Sequence, residues 1–318
     1  MLKTIFFGTP ETAVPFLRLL AKRTRVLAVV SQPDRPSGRG LEVAPTPVKT
    51  AALEFGLTVF QPARPSEIAA VLKALGADLA VVVAYGRILK ADALAATRLG
   101  FLNAHFSLLP KLRGAAPVQW ALARGEKKTG VSLFWLDEGM DTGPVQTMRE
   151  TPIDPAEDAG ALLERLTAFG VEMLDAELDA LAAGKVVRRP QEGEATLAPL
   201  IKREDARIDL ALPAAEIHNL VRGFRLWPKA FLKKEDRPLL QVLKTSLPAE
   251  SDPGPQGRPG RVLAVDRDRG ILVECGSSSR LWFLAVQPEG KKTLNAADFA
   301  NGLRLAAGGF LPFTDEAI

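Results

Sequence analysis

Asn103 and His105 stand two positions apart in the strand-like run FLNAHF, and the 318-residue chain contains only one other histidine. Alternation along a strand puts both side chains on one face, about 7 Å apart, close enough to share one ligand. Downstream, VSLFWLDEGMDTGPVQT reads as strand, glycine-bounded loop and strand, and the loop carries three carboxylates, Asp137, Glu138 and Asp141. If that hairpin lies beside the end of the His105 strand, one of the carboxylates can hydrogen-bond the imidazole and fix its tautomer. An amide, an imidazole and a carboxylate together suit attack of an amine on an acyl carbon. The Asn103 NH2 and an imidazole NH can be aimed at the oxygen on which charge develops. The imidazole can also serve the proton that the amine sheds and the leaving nitrogen gains. No serine or cysteine stands beside His105 as a nucleophile, so covalent catalysis is poorly supported. Taken singly, a histidine near an apolar strand is more often a packed core residue; Asn103 and the carboxylate loop weigh against that reading. On the residues alone the argument stops at acyl transfer or a similar group transfer.

Other segments narrow the chemistry. FFGTPE places a glycine between strand and helix but lacks the G-x-G-x-x-G spacing, and Pro10 removes an amide that could hold a pyrophosphate, which disfavours a hydride-transfer enzyme. SQPDRPSGRG is a loop by its prolines and glycines. Its Arg35 and Arg39 sit at a strand end, where an arginine forking onto a substrate phosphate and a solvated surface loop are equally good readings. One cysteine and two histidines are too few soft ligands for a structural zinc site, so no metal is expected. The net charge of +4, its excess mostly C-terminal, permits a polyanionic partner without requiring one. No apolar run is long enough to cross a bilayer, and MLKTIFFGTPE enters a strand-like run directly, as expected of a cytoplasmic protein with no membrane partner.

The elements that must position these residues follow βαβ grammar. TIFFG, VLAVVSQ, LTVFQ and DLAVVVA alternate with the helical patterns TAVPFLRLLAKR, VKTAALEFG and SEIAAVLKALG. Consecutive apolar residues in DLAVVVA suit parallel strands covered on both faces. The predicted fold is therefore α/β, a doubly wound, Rossmann-like N-terminal domain. Ligands bind such sheets at the carboxyl ends of the strands, which directs attention to the loops after Phe7, Ser31, Ala84 and His105. Prolines 110 and 117 and Gly114 predict a long irregular loop after His105, with the NH groups of Ser107, Leu108 and Leu109 free to meet a polar ligand. Residues 159–184 read as one long helix or two, closing a domain over 1–185; 186–203 read as a linker. Over 204–318, a short helix at ALPAAEIHNLVRGF and the strand candidates FLKK, LLQVLK, GRVLAVD, GILVECG and RLWFLAVQ suggest an OB-like β-barrel domain.

GTPE, QPDRPSGRG followed by PVK, VVVAYGRIL, NAHFSLLPKLRGAAPVQWAL, DEGMDTGPV, REDARIDL, RGFRLWP and QPEGKK together resemble the methionyl-tRNA formyltransferases in order and spacing, over nearly the whole chain. The N-x-H-x-SLLP element with a downstream D-x-G pair is common to folate-dependent formyltransferases. The GRG loop and the WP-bearing C-terminal domain resemble the tRNA-acting members. The resemblance implies 10-formyltetrahydrofolate as donor and the methionyl amine of initiator tRNA as acceptor. It puts Asn103, His105 and Asp141 on the catalytic trio, Ser107, Leu108, Leu109 and Pro110 on the folate-contacting segment, and Val83, Tyr85 and Gly86 on a loop walling the pterin. Arg39 falls on the arginine of a flexible loop used on the acceptor stem, although Leu41, Glu42 and Val43 follow where relatives often carry lysines. The domain over 204–318 would bind tRNA through basic positions around Lys202, Arg203, Arg222, Arg225, Lys229, Lys233 and Lys234. Trp227 is expected in the core and His218 in a structural role, and the protein is expected to be a monomer. The competing readings are a formyltransferase for a small amine and an RNA-binding protein that has lost catalysis.

Overall fold

Ile5–Phe7 and Leu79–Val83 carry apolar side chains on successive residues, so both faces of the strands they form must be covered. The computed structural model, which describes residues 1–37, 42–64, 67–234 and 239–313, meets that demand with a sheet between layers of helix. The strands are β1 (Lys3–Gly8), β2 (Arg25–Val30), β3 (Arg35–Ser37), β4 (Glu42–Ala44), β5 (Val59–Phe60), β6 (Leu79–Val83), β7 (Gly100–His105), β8 (Lys128–Trp135) and β9 (Val145–Pro152). β3 and β4 form an antiparallel hairpin within a segment that reads as loop in the sequence, and the other seven lie in the order β5-β2-β1-β6-β7-β8-β9. β5 through β7 run parallel, and β8 and β9 return antiparallel. Ile5, Phe7, Val30, Val82 and Phe101 pack on one face with Ile68 and Leu72, while Phe6, Val29 and Val81 on the other face are equally buried. Burying each such side chain contributes about 1.5–3 kcal/mol, which is what holds the sheet as a platform.

Local signals act where expected. Thr46 accepts a hydrogen bond from Lys49 N and Pro47 follows it, starting the helix Pro47–Glu54. Residues 159–184 resolve as a single helix, Ala159–Ala182, with Gly170 inside it. A Cβ at Gly170 would come within 2.8 Å of the Phe16 ring, so close packing, not a helix break, explains that glycine.

The chain divides into two compact units whose boundaries are not linear in sequence. The first comprises Met1–Pro117, Lys128–Pro152 and Leu162–Pro199; the second comprises Val118–Lys127, Ile153–Ala161 and Leu200–Ile318. Residues 186–199, which read as linker, are part of the first unit. Arg189 exchanges main-chain hydrogen bonds with Val145, and Thr196–Ala198 bonds to Pro110 and Arg113. A stretch without periodicity can still be held by its backbone, which composition does not reveal.

In the second unit β10 (Phe231–Leu232), β11 (Leu240–Ser246), β12 (Val262–Asp266), β13 (Gly270–Cys275), β14 (Ser279–Pro288) and β15 (Leu294–Asn295) form a six-stranded antiparallel sheet in the order β10-β11-β14-β13-β12, with β15 on β14. Val242, Val262, Ile271, Val273, Leu281, Phe283 and Val286 pack with Ile217 and Val221 of the helix Ala214–Gly223. Cys275 lies in this core, and burial pushes its thiol up to about 12. Trp227, expected in the core, is 56% exposed; it lies in the turns after that helix, and it is Trp120 that stacks edge-on against Phe224. His218 has the expected structural surroundings: its Nδ1 lies 2.8 Å from Thr245 Oγ1.

Burial, reinforced by the nearby Arg222 cation, lowers the His218 pKa from 6.5; a hydrogen bond to the Pro155 backbone opposes the shift. Below about pH 6.5 the unfolded chain therefore binds a proton that the folded chain refuses, and stability falls as pH drops. Denaturant unfolding measured from pH 7.5 to 5 should show this slope, and His218→Asn should flatten it.

Candidate active site

β1 is flanked by β2 on one side and β6 on the other, so strand order reverses there and a crevice opens at the carboxyl ends. The segments after β1, β2 and β6 are tied together at that point. Tyr85 O accepts from Thr9 Oγ1 at 3.1 Å and from Gln32 Nε2 at 2.8 Å. Ala84 and Gly86 both have positive φ, 47° and 74°. A Cβ on Gly86 would strain the left-handed backbone and push aside the end of the Gln32 side chain, whose Nε2 would stand 2.6 Å away. Val83 is fully buried, and the Tyr85 ring lies in the core edge-on to Phe7, 5.3 Å between centroids. Tyr85 Oη is buried with no hydrogen-bond partner among the described residues, and burial raises its pKa.

Asn103 and His105 occupy the last turns of the pleat in β7, paired with Phe134 and Ser132 of β8. Asn103 is half-buried, and His105 is 6% exposed with its ring edge-on to Phe134. His105 Nε2 lies 2.9 Å from Leu112 O. A carbonyl can only accept, so Nε2 carries the proton and the other nitrogen, Nδ1, is left for a different partner. Nδ1 faces Asp141 Oδ2 at 3.7 Å, beyond a direct hydrogen bond but within ion-pair range once the ring is protonated. Gly114 N donates to the same Asp141 oxygen at 2.7 Å. Of the three loop carboxylates, Asp141 is the one brought to the imidazole. Asp137 instead accepts from Gly139 N and Thr142 Oγ1 as a turn cap, and Glu138 is exposed.

The loop after His105 is less open than its sequence suggests. Leu109 N, expected to be free, donates to Ser132 Oγ at 3.1 Å, and Ser132 Oγ donates onward to Ser107 O at 2.7 Å. The Leu109 side chain packs with Phe134 and Val145. Ser107 Oγ donates to Lys111 O at 2.6 Å. A serine facing inward from a neighbouring strand consumes the amide, and nothing local to residues 107–110 announces it. Pro110 is buried, Leu108 half-buried, and the irregular stretch ends at the helix Pro117–Ala123, which the sequence reading missed. Leu112, Ser132 and Gln191 also escaped it; Gly114, at φ 122° with Ala198 O 2.6 Å from where its Cβ would stand, reads in the sequence as a loop former but not as a partner of Asp141.

The loop beginning at Ser31 is anchored. Lys49 and then Gln61 hydrogen-bond Asp34 and hold its carboxyl below the usual range. Arg35 is exposed on β3, whereas Arg39 lies outside the described residues. In the second unit a cavity of about 920 Å³ is lined by Lys127, Arg225, Lys229 and Lys244 with Glu126 and Asp158 among its acids. Arg222 is turned to internal use: its guanidinium donates to Asn219 Oδ1, Asp154 O and Glu157 O. Among the described residues no cluster of metal-ligating side chains is present, and no helix is long and apolar enough to cross a membrane.

Family profiles match both parts of the chain, formyl transferase over residues 2–178 and formyl transferase C-terminal domain over residues 200–304. A methionyl-tRNA formyltransferase of Elusimicrobium minutum is 45% identical over 96% of this chain and 98% of its own length. Another, of Geobacter metallireducens, is 44% identical over 96% and 97%. The crystal structure of WlaRD, a sugar 3N-formyltransferase seen with dTDP and 5-N-formyl-THF, superposes with a TM-score of 0.67 over 92% of this chain and 99% of that one; at 17% identity the likeness is one of fold. With both profiles matched and the identity sustained from end to end, the chain belongs to the methionyl-tRNA formyltransferase family.

Proposed function

We propose that the protein transfers the formyl group of 10-formyltetrahydrofolate to the amino group of initiator methionyl-tRNA, with Asn103, His105 and Asp141 as the reacting trio. The observation that carries the acceptor is the 45% identity to a methionyl-tRNA formyltransferase across both domains, since the first domain alone would leave a small amine equally eligible. The approach of His105 to Asp141 at the end of β7 supports the chemistry.

As the amine attacks the formyl carbon, the new C–N bond forms and negative charge grows on the formyl oxygen. The Asn103 NH2 and a protonated His105 Nδ1 lie on one face of β7, where both can donate to that oxygen. The Asp141 carboxylate stabilises the cationic ring and is the acceptor for the proton the amine sheds, directly or through one water. As the bond to N10 breaks, His105 Nδ1–H supplies the proton N10 needs, and the proton on Asp141 returns to Nδ1. One proton thus moves from amine to N10 with no net change in the protein.

In this reading Ser107–Pro110 contact the folate, while Val83, Tyr85 and Gly86 wall the pterin with backbone, because the Val83 and Tyr85 side chains point into the core. Tyr85 Oη remains available as a buried donor. Arg39 would meet the acceptor stem, and the domain over 204–318 the body of the tRNA, in a cytoplasmic monomer. Because Arg222 is committed internally, the exposed Lys202 and Arg203 and the half-buried Lys229 of the second unit are better placed for phosphate.

The deciding assay supplies the folate donor with charged initiator tRNA or with small amines. Formyl-methionyl-tRNA is the expected product, and turnover confined to small amines would overturn the acceptor. His105→Ala and Asn103→Ala should each lower kcat about a hundredfold or more, with tRNA affinity nearly unchanged; an equal loss of affinity would place them elsewhere. Asp141→Asn removes the carboxylate that takes up the amine's proton and should alter the pH–rate profile. An unaltered profile at full rate would remove Asp141 from the mechanism.

A further inference from the structure

Asp141 has a left-handed backbone, φ 55°, in the loop between β8 and β9. That conformation is costly for a residue with a Cβ and persists only where surrounding contacts over-determine it. Gly114 N holds the carboxylate of Asp141, whose backbone is held by Gln191, in the stretch that reads as linker. Gln191 Nε2 donates to Asp141 O and to Gly143 O, both at 2.8 Å. Its other end, Oε1, accepts from Arg113 Nε at 3.1 Å and Nη2 at 2.6 Å. The amide orientation is unambiguous, because two carbonyls can only accept and a guanidinium can only donate.

Arg113 immediately precedes Gly114, whose NH holds the Asp141 carboxylate, and follows Leu112, whose carbonyl meets His105 Nε2. One side-chain amide therefore spans both loops that touch the imidazole. The same segment straps the Arg113 side a second time. Leu112 N donates to Thr196 Oγ1 at 2.9 Å, Arg113 N to Thr196 O at 2.9 Å, and Ala198 N to Arg113 O at 2.7 Å. Gln191 touches neither His105 nor any reacting atom in the arrangement proposed above.

We infer that Gln191 is a positioning residue for formyl transfer: bridging Arg113 to the Asp141–Gly143 backbone, it sets the separation and aim of Asp141 Oδ2 relative to His105 Nδ1. The inference rests on the reading of His105 and Asp141 as the proton-handling pair. Displacing a reacting group by about 1 Å can cost a hundredfold in rate, so loss of the bridge acts on kcat more than on KM.

The test compares four full-length variants, Gln191→Met, Gln191→Glu, Asp141→Asn and the double variant Gln191→Met/Asp141→Asn, by kcat, KM for both substrates, the pH–rate profile and thermal unfolding. Gln191→Met keeps stem length and loses every bond; Gln191→Glu keeps acceptors for Arg113 and loses both donations to the loop. Both should lower kcat about tenfold to a hundredfold, with little change in KM and an altered pH profile, and Arg113 pairing alone should not rescue Gln191→Glu. In the Asp141→Asn background Gln191→Met should add little further loss, because the two act through one group. Multiplying losses, or a fall in melting temperature with kcat and profile unchanged at temperatures where the variant is folded, would overturn the inference. Full activity in Asp141→Asn alone would overturn the underlying reading, and the inference with it.

Discussion

The 2.9 Å contact between His105 Nε2 and the carbonyl of Leu112 governs the rest of the proposed site. It decides which ring nitrogen bears the proton, so it decides which nitrogen can meet a substrate and on which side a carboxylate can help. A backbone carbonyl is a firmer choice for this task than a side chain, because it cannot rotate away or change protonation. Its position is itself enforced. Leu112 has φ 58° and is bonded through its own NH to Thr196 Oγ1, so the acceptor is fixed by residues far off in sequence. The histidine stands on a strand and its partners on loops, and the precision of the arrangement is only as good as the straps on those loops.

Those straps bear on the left-handed residues of the site. Ala84, Gly86, Leu112, Gly114 and Asp141 all have positive φ and all lie on loops at the carboxyl ends of β6, β7 or β8. Each non-glycine among them costs about 1–2 kcal/mol relative to ordinary backbone. The cost is offset by side chains bonded to main-chain groups: Thr9 and Gln32 at Tyr85, Ser132 at Ser107 and Leu109, Gln191 at Asp141 and Gly143. The buried sheet beneath supplies a surface that such networks can be built on without unfolding it.

Charge in the second unit divides in a similar way between holding the fold and remaining outside it. Arg222 ties the helix Ala214–Gly223 to Asp154 and Glu157, and burial lowers its pKa. Arg269 grips both oxygens of Asp252, stacks over Trp282 and holds the Asp252 carboxyl well below the usual range. Cations spent in this manner are unavailable to a polyanion. A count of basic residues therefore overstates the charge left open to a polyanion, whereas Lys202 and Arg203 are exposed.

Much of this was written in local pattern. Successive valines in β6 announced a parallel strand covered on both faces. The i, i+2 spacing of Asn103 and His105 put them on one face of β7, and the glycine-bounded loop marked a carboxylate hairpin beside it, because strand alternation and turn chemistry depend on neighbours in sequence. The departures have one cause. Leu109 lost its expected free amide to Ser132 on another strand, Trp227 turned outward while Trp120 took the packing position, Arg222 turned inward, and residues 186–199 proved to be a strap of the first unit carrying Gln191. Each depends on which distant group arrives at a given donor, acceptor or apolar surface. The sequence by itself determined the βαβ elements of the parallel sheet, the face that bears the imidazole and the class of chemistry it suits. Tertiary structure alone decided the tautomer, the choice of Asp141 Oδ2 as the oxygen at Nδ1 and the bridge that aims it, since hydrogen bonds between residues tens of positions apart leave no periodic trace in either partner's own neighbourhood.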